Sequence, residues 1–132
     1  MKIAYKVVKL KKQERFKKTV YTSCIDNAYS VEYQVGKITV PVIGSLFVFS
    51  EMPTHEQINY IIPPHLDSSK VFKCLVDLLT IAEEIVYVPH NSSYIEKFWN
   101  GGLSYELLKK PPVNTCFCNE CVLLEDVTKQ IK

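Results

Sequence analysis

Alternating apolar and polar positions run through the first quarter of the chain and predict β-strands. Within residues 3–10, β-branched and aromatic side chains recur with a period of two, and Lys6 and Lys9 break the pattern on the other side. This arrangement is typical of a strand that carries its cations at exposed positions. Residues 19–24 are again rich in strand-forming residues, so the two segments predict a hairpin.

The clearest alternation follows the turn signal Asp26-Asn27. Apolar residues at 29, 31, 33 and 35 alternate with polar ones as far as Gly36, which predicts an amphipathic strand. Residues 37–44 contain a proline and a glycine and predict a loop or an irregular sheet edge. The continuous apolar run Leu46–Phe49 is typical of a buried strand.

Residues 53–62 predict a short helix, because their isoleucines share one face. Ser50 is its predicted cap, and Pro63-Pro64 would end it. Residues 68–88 fit two structures. Their apolar spacing suits a helix capped by a serine, whereas residues 71–76 also suit a central strand.

In the last third of the chain, Ser92 or Ser93 is expected to cap a second helix. That helix would run through Trp99 and close at Gly101-Gly102. Residues 115–124 predict one last strand. Strands dominate, and no internal repeat divides the chain. We therefore expect a single domain over residues 1–132 with an α+β fold. It would have a mainly antiparallel mixed sheet of about five to six strands, with one or two short helices packed on it.

Basic residues are concentrated at the start of the chain. The first 18 residues hold eight of the 16 Lys and Arg residues against one acid, a net charge of +7. The remaining residues hold eight bases against thirteen acids, a net charge of −5. Such a face attracts polyanions, and aromatic residues between cations are typical of single-stranded nucleic-acid binders. A lysine-rich hairpin tip is also expected simply because it protects a sheet edge. The candidate nucleic-acid-binding residues are Lys11, Lys12, Arg15, Phe16, Lys17 and Lys18.

Three of the five cysteines, Cys116, Cys118 and Cys121, lie within six positions. The last two have the spacing of a zinc knuckle, and zinc is the one cofactor that the sequence suggests. Ordinary buried cysteine is the simpler interpretation, because the first two alternate as in a strand. A fourth zinc ligand would have to come from elsewhere in the chain: Cys24, His65 or His90.

The cysteine count and the charge pattern also bear on location. An odd number of clustered cysteines does not resemble a secreted disulfide framework. No apolar run approaches the roughly twenty residues that span a bilayer, and the charged first residues are unlike a signal peptide. We expect a cytoplasmic protein that does not bind membranes.

Aromatic residues near the double glycine form a candidate interface, because Trp and Tyr often anchor protein contacts. Packing in the core is an equal alternative for them. No nucleophile motif, phosphate-binding loop or histidine pairing is present, so no catalytic residue is assigned. The candidate interface residues are Tyr94, Phe98, Trp99 and Tyr105.

Several short motifs occur in a characteristic order, among them Tyr5-Lys6-Val7-Val8, residues 31–36, residues 44–49 and Phe98-Trp99. In this order they resemble a loose family of small uncharacterised proteins from bacteriophages, archaea and archaeal viruses. The resemblance implies a strand over residues 70–76 and an origin in a virus or mobile element. It implies no activity.

Taken together, these features predict a small intracellular binding or adaptor domain that docks on another protein, with a homodimer as a further option. One alternative is nucleic-acid binding through the basic hairpin. Another comes from Tyr21-Thr22-Ser23, which is similar to a strand pattern of ADP-ribosyltransferases and implies a degenerate nucleotide binder. The glutamate that such chemistry requires has no assigned counterpart here.

Overall fold

A computed structural model describes residues 1–13, 18–24, 27–61 and 69–131. Within these ranges the chain forms eleven strands, two α-helices and two 3-10 helices at Tyr105–Leu107 and Thr128–Gln130. The α-helices are α1 (His55–Ile61) and α2 (Ser92–Trp99). The strands are β1 (Lys2–Gln13), β2 (Lys18–Thr22), β3 (Glu32–Tyr33), β4 (Ile38–Thr39), β5 (Leu46–Phe49), β6 (Ser69–Val76), β7 (Thr80–Ile81), β8 (Ile85–Val86), β9 (Leu108–Lys109), β10 (Thr115–Cys118) and β11 (Cys121–Asp126).

The predicted α+β class is confirmed. Nine of the described strands form one sheet in the order β4-β11-β6-β1-β5-β10-β7, with β2 paired to β1 and β3 paired to β2. Every pairing among them is antiparallel. Six of the nine have four or more residues, and β3, β4 and β7 are two-residue additions. Strands β8 and β9 form a separate small ladder.

Strand β1 is the centre of the sheet. One of its edges pairs with β6 without interruption from Lys2 to Lys9. Its other edge pairs with β5 at Tyr5 alone, and then with β2 from Lys9 to Gln13. The predicted hairpin of the first two strands is therefore confirmed. On this second edge, the short stretch of β1 between β5 and β2 has no neighbouring strand.

The last predicted strand, residues 115–124, is instead two strands, so that prediction was wrong. Its halves β10 and β11 meet at Asn119-Glu120, where the Asp77 carboxylate accepts both backbone N–H groups at 2.9 Å. Three strands separate β10 from β11 in the sheet, which is about 19 Å in a flat sheet. The connecting residues span at most about 10 Å. The sheet must therefore curl strongly to bring the two strands together.

The ambiguity over residues 68–88 is resolved in favour of a strand, because β6 lies between β1 and β11 and pairs with both. The amphipathic strand expected up to residue 35 is shorter than predicted, since only Glu32–Tyr33 pairs with a neighbour, β2. Residues 37–44 do form an irregular edge, where β4 pairs with β11.

The residues that cap the two helices differ from the predicted ones. Thr54, not Ser50, caps α1 through reciprocal hydrogen bonds with Gln57. Asn91, not Ser92 or Ser93, caps α2 by accepting the N–H of Tyr94 at 3.2 Å.

The predicted end of α2 is confirmed. Gly101 takes a positive φ of 77°, and the N–H of Gly102 bonds to the Lys97 carbonyl. The predicted end of the first helix at Pro63-Pro64 lies outside the described residues.

Two apolar clusters hold the two faces of β1. Ala4 and Val8 belong to the larger cluster, which contains residues of β5, β6, β10 and β11. Val7 belongs to the second, with Phe49, Val71 and Ile58 of α1. Because both faces of β1 are covered, its side chains alternate between two cores.

The contact between Gly44 and Trp99 fixes α2 on the sheet. A Cβ atom at Gly44 would lie 2.0 Å from the Trp99 ring, whereas a Cβ at Gly36 would meet nothing within 4 Å. Both glycines have positive φ, so a side chain at either position would strain the backbone. Only Gly44 adds a clash with a ring that packs against Phe117.

We expect Gly36→Ala to lower the free energy of unfolding by about 1 kcal/mol from strain alone. Gly44→Ala should lower it by about 3 kcal/mol, because overpacking adds to the same strain. Urea unfolding of both variants measures the difference. Equal losses would show that the Trp99 contact has no energetic consequence.

Candidate ligand-binding site

Lys6 is buried in the core, so the prediction that the cations of the first strand point to solvent was wrong for this residue. It lies on the same face of β1 as Ala4 and Val8, which belong to the larger apolar cluster, and it is only 9% exposed. A lysine is almost never this deeply buried without a specific partner. Its surroundings therefore define the first candidate site.

The unpaired stretch of β1 explains how the lysine is accommodated. Between Tyr5, which pairs with β5, and Lys9, which pairs with β2, this edge of β1 faces no strand. Two side chains occupy the opening. The Cys24 thiol donates to the Val7 carbonyl at 3.1 Å, and Lys6 Nζ donates to the Phe47 carbonyl at 2.6 Å.

No carboxylate of the described residues lies within ion-pair distance of Lys6. The ion pair found among those residues joins Lys70 and Asp126 instead. A phenol lies beside Lys6. Lys6 Nζ lies 5.5 Å from the centre of the Tyr33 ring. The ammonium thus makes one hydrogen bond to a described residue, although an ammonium has three donors.

Tyr33 is the second unusual group. It is 2% exposed, and its hydroxyl is the one buried side-chain oxygen or nitrogen among the described residues without a partner at normal hydrogen-bond geometry, although Lys6 lies close enough to act against the rise in its pKa that burial causes. A buried hydroxyl without a partner costs about 1–3 kcal/mol relative to one that is satisfied. Such a group calls for an explanation, and a role in binding a ligand that accepts its proton is one.

The protonation states follow from burial. Burial raises the pKa of Tyr33 and raises the pKa of Cys24 to about 11, so both are neutral at pH 7. Burial lowers the pKa of Lys6, but negative charge on Tyr33 and the nearby cysteines when they ionise more than offsets this, and the net pKa is raised. At neutral pH the phenol and the thiol are therefore uncharged, and the hydrogen bond from Lys6 to the Phe47 carbonyl is what favours its ammonium form.

A cavity of about 200 Å³ lies against these groups. Its wall includes consecutive residues of two strands, Lys6 and Val7 of β1 and Leu46–Phe49 of β5. Consecutive strand residues point to opposite faces, so the cavity opens where β1 and β5 part rather than on one face of the sheet. Tyr33 and Cys24 also line it.

Aromatic rings form part of the wall. Trp99 of α2 packs at 5.2 Å from Phe117 and at 6.3 Å from Phe47, measured between ring centres. Both Trp99 and Phe47 line the cavity. The site therefore combines the polar pair Lys6 and Tyr33 with a lining that is largely aromatic and aliphatic, which is the usual character of a small-molecule site.

Residues 27–30 form part of the rim and are tied to α2 and the residues before it. Asn27 Nδ2 donates to the Pro89 carbonyl at 3.0 Å, and the Ala28 N–H donates to Ser92 Oγ at 2.9 Å. The Tyr29 hydroxyl also donates to the Glu96 carboxylate. These three contacts tie the rim to α2 and the segment before it.

The cysteines predicted to bind zinc are all buried, and each belongs to the larger apolar cluster. The thiol of Cys74, which the sequence analysis did not consider, donates a hydrogen bond to Cys121 and lowers its pKa. Burial raises the pKa of Cys118 to about 12. No three His, Cys, Asp or Glu side chains converge as a metal site within the described residues.

The other candidate ligands are dispersed. Cys24 lines the cavity, His90 is exposed, and His65 lies outside the described residues. Zinc binding stays a prediction that this arrangement does not support.

The four candidate interface residues do not form one surface. Phe98 and Trp99 are half-buried, line the cavity and pack on Phe117. Tyr94 is also half-buried, whereas Tyr105 is 82% exposed on a separate 3-10 helix. Two of the four therefore belong to the cavity wall.

The basic hairpin is described only in part. Its two strands are paired, and Lys11 is exposed. Arg15, Phe16 and Lys17 lie outside the described residues, as do the side chains of Lys12 and Lys18. Nucleic-acid binding through this hairpin stays a prediction.

The residues compared with ADP-ribosyltransferases have structural roles. The Tyr21 ring packs edge-on against Phe72 at 5.0 Å, and Ser23 bonds to the backbone of Val31. The chain matches no protein-family model, no curated protein and no solved structure. The resemblance to phage and archaeal proteins accordingly stays a prediction. Neither α-helix in the described ranges has the length and apolar character that a membrane crossing requires.

We expect Lys6→Met to raise the free energy of unfolding by about 1 kcal/mol. Met keeps the length of the side chain and removes a buried charge that has no carboxylate partner in the described chain. Urea unfolding at pH 7 measures the change, with exposed Lys2→Met on the same strand as the control. A loss of stability specific to Lys6→Met would mean that the ammonium serves the fold rather than a ligand.

The raised pKa of Cys24 predicts a loss of stability in alkali. Below the ordinary thiol pKa of 9.0 both the folded and the unfolded protein keep this proton, so the buried thiol contributes its full share to the free energy of unfolding. Between pH 9 and about 11 the unfolded chain releases the proton first, and stability falls. Cys24→Ala should lose about 1 kcal/mol less than the wild type between pH 8 and pH 10. Identical slopes in urea unfolding would contradict this.

Proposed function

We propose that the protein is a binding module that holds a small molecule, noncovalently, in the cavity beside Lys6. The observation that carries this proposal is the buried Tyr33 hydroxyl, which has no partner among the described residues and lines the same cavity as a buried ammonium. Sequences break the rules of core polarity mainly at functional sites. Two such exceptions around one cavity favour a common purpose.

The protonation states favour binding over covalent chemistry. An amine acts as a nucleophile only after it loses its proton, and the pKa of Lys6 is raised. The Cys24 thiol, with a pKa of about 11, is likewise protonated at pH 7. Neither group is activated, so the cavity is better suited to hold a molecule than to react with one.

The volume limits the size of the molecule. Drug-sized ligands occupy pockets of about 300–1,000 Å³, and a dry cavity of about 150 Å³ holds one benzene molecule. A cavity of about 200 Å³ therefore suits a molecule the size of a single substituted ring or a short hydrocarbon chain.

The adaptor function predicted from the sequence remains a separate hypothesis. Docking on another protein would need exposed anchors, and the structure gives Phe98 and Trp99 a half-buried place in the cavity wall. Tyr105 is still available for such a contact. We therefore place small-molecule binding first and leave the macromolecular partner as a prediction.

Binding of neutral probes tests the proposal. We expect benzene, indole and benzyl alcohol to bind the wild type with millimolar or tighter affinity, measured by ligand-detected NMR. Ile95 lies one helical turn from Trp99 and lines the cavity, so Ile95→Trp should fill it and weaken binding at least about tenfold.

Ser93→Trp adds the same side chain to an exposed position of α2 and should bind the probes as the wild type does. If both Trp variants bind equally well, the site lies elsewhere. If no probe binds the wild type, the proposal fails.

A further inference from the structure

Resting on this proposed function, we propose that the molecule held in the cavity is a small carboxylic acid, bound as its carboxylate by Lys6 and Tyr33. Its ring or hydrocarbon part would lie against Phe47 and Trp99. The charge and the donors at one end of the cavity, and the chemistry of its walls, point to this class of ligand.

The charge of Lys6 favours an anionic ligand. It is buried, and no carboxylate of the described residues lies close enough to neutralise it. Buried charges in proteins are almost always paired, because an ion loses its hydration on burial. A ligand that brings a negative charge would supply the missing pair, and a neutral ligand would leave the ammonium as it is.

The hydrogen-bond donors of Lys6 and Tyr33 match the two oxygens of a carboxylate. Lys6 Nζ gives one of its three N–H groups to the Phe47 carbonyl, and the neutral Tyr33 hydroxyl gives its proton to no described residue. Both groups line the cavity, and Nζ lies 5.5 Å from the Tyr33 ring centre. A carboxylate has two oxygens that accept hydrogen bonds, so one can take the ammonium and the other the hydroxyl.

The lining of the cavity suits a more highly charged ligand less well. A phosphate group carries up to two charges and three acceptor oxygens, and protein sites commonly meet it with arginine or several backbone N–H groups. No arginine is among the described residues that line the cavity, and the chain's one arginine, Arg15, lies outside them. The other lysine in the wall, Lys109, lies over the rings of Tyr60 and Tyr87 at 4.9 and 5.9 Å. One charge and a mostly apolar body fit this site better.

Matched pairs of ligands test the inference. Benzoate is compared with benzyl alcohol, and hexanoate with hexanol, by titration calorimetry and ligand-detected NMR at pH 7. We expect each carboxylate to bind the wild type at least about tenfold more tightly than its alcohol, because hydrogen bonds to charged groups are the strong ones. Lys6→Met should reduce this ratio to about one while still binding the alcohols.

Two further variants sharpen the result. Tyr33→Phe removes the hydroxyl and keeps the ring, and it should reduce the ratio about threefold to tenfold. Lys2→Met removes a positive charge from the exposed end of the same strand and should leave the ratio unchanged. Backbone NMR spectra of each variant establish that it is folded before its binding is compared.

The outcomes separate the two proposals. If alcohols and carboxylates bind the wild type equally well, the carboxylate inference is overturned and the binding function stands. If neither kind of ligand binds, both are overturned. If the preference for carboxylates survives in Lys6→Met, or is lost equally in Lys2→Met, the anion is not held by Lys6 and the inference fails.

Discussion

The structure depends on a missing stretch of sheet. Between Tyr5 and Lys9, β1 has a neighbouring strand on one edge only, because β5 pairs with it on one side of the opening and β2 on the other. Backbone polar groups inside a fold need partners, and here the Cys24 thiol takes the Val7 carbonyl. Since no strand fills the opening, there is room for a cavity. Lys6, which lies at this point of β1, is drawn into it and bonds to β5 across the opening.

The rest of the fold tolerates this arrangement because β1 is held firmly elsewhere. Eight consecutive residues of β1, from Lys2 to Lys9, pair with β6, and five, from Lys9 to Gln13, pair with β2. Apolar clusters cover both of its faces. An ammonium and a phenol without full partners are destabilising, yet a domain with this much paired and buried structure can retain them. Proteins keep such groups where they are useful, which is why their coincidence around one cavity favours a binding site over an accident of packing.

Local patterns predicted the strands well and the site poorly, for a physical reason. The alternation in β1, the run Leu46–Phe49 and the glycine end of α2 are set by neighbouring residues, and the structure agrees with each. The corner at residues 119–120 depends instead on Asp77, more than forty positions away. Lys6 was misplaced because a lysine between apolar residues suggests a solvated face. Only the position of β1, buried on both faces, makes that face a core.

Contacts within the protein set the shape of the cavity. The Trp99 ring packs directly on Gly44, and a side chain of any other residue type at position 44 would clash with it. The aromatic wall therefore cannot approach the sheet more closely. Three hydrogen bonds from residues 27–29 hold the rim against α2 and the segment before it. A ligand that enters a preformed site orders few groups and keeps most of its interaction energy as affinity. The same rigidity keeps the walls from collapsing onto Lys6, so its charge stays available to an anion of the right size.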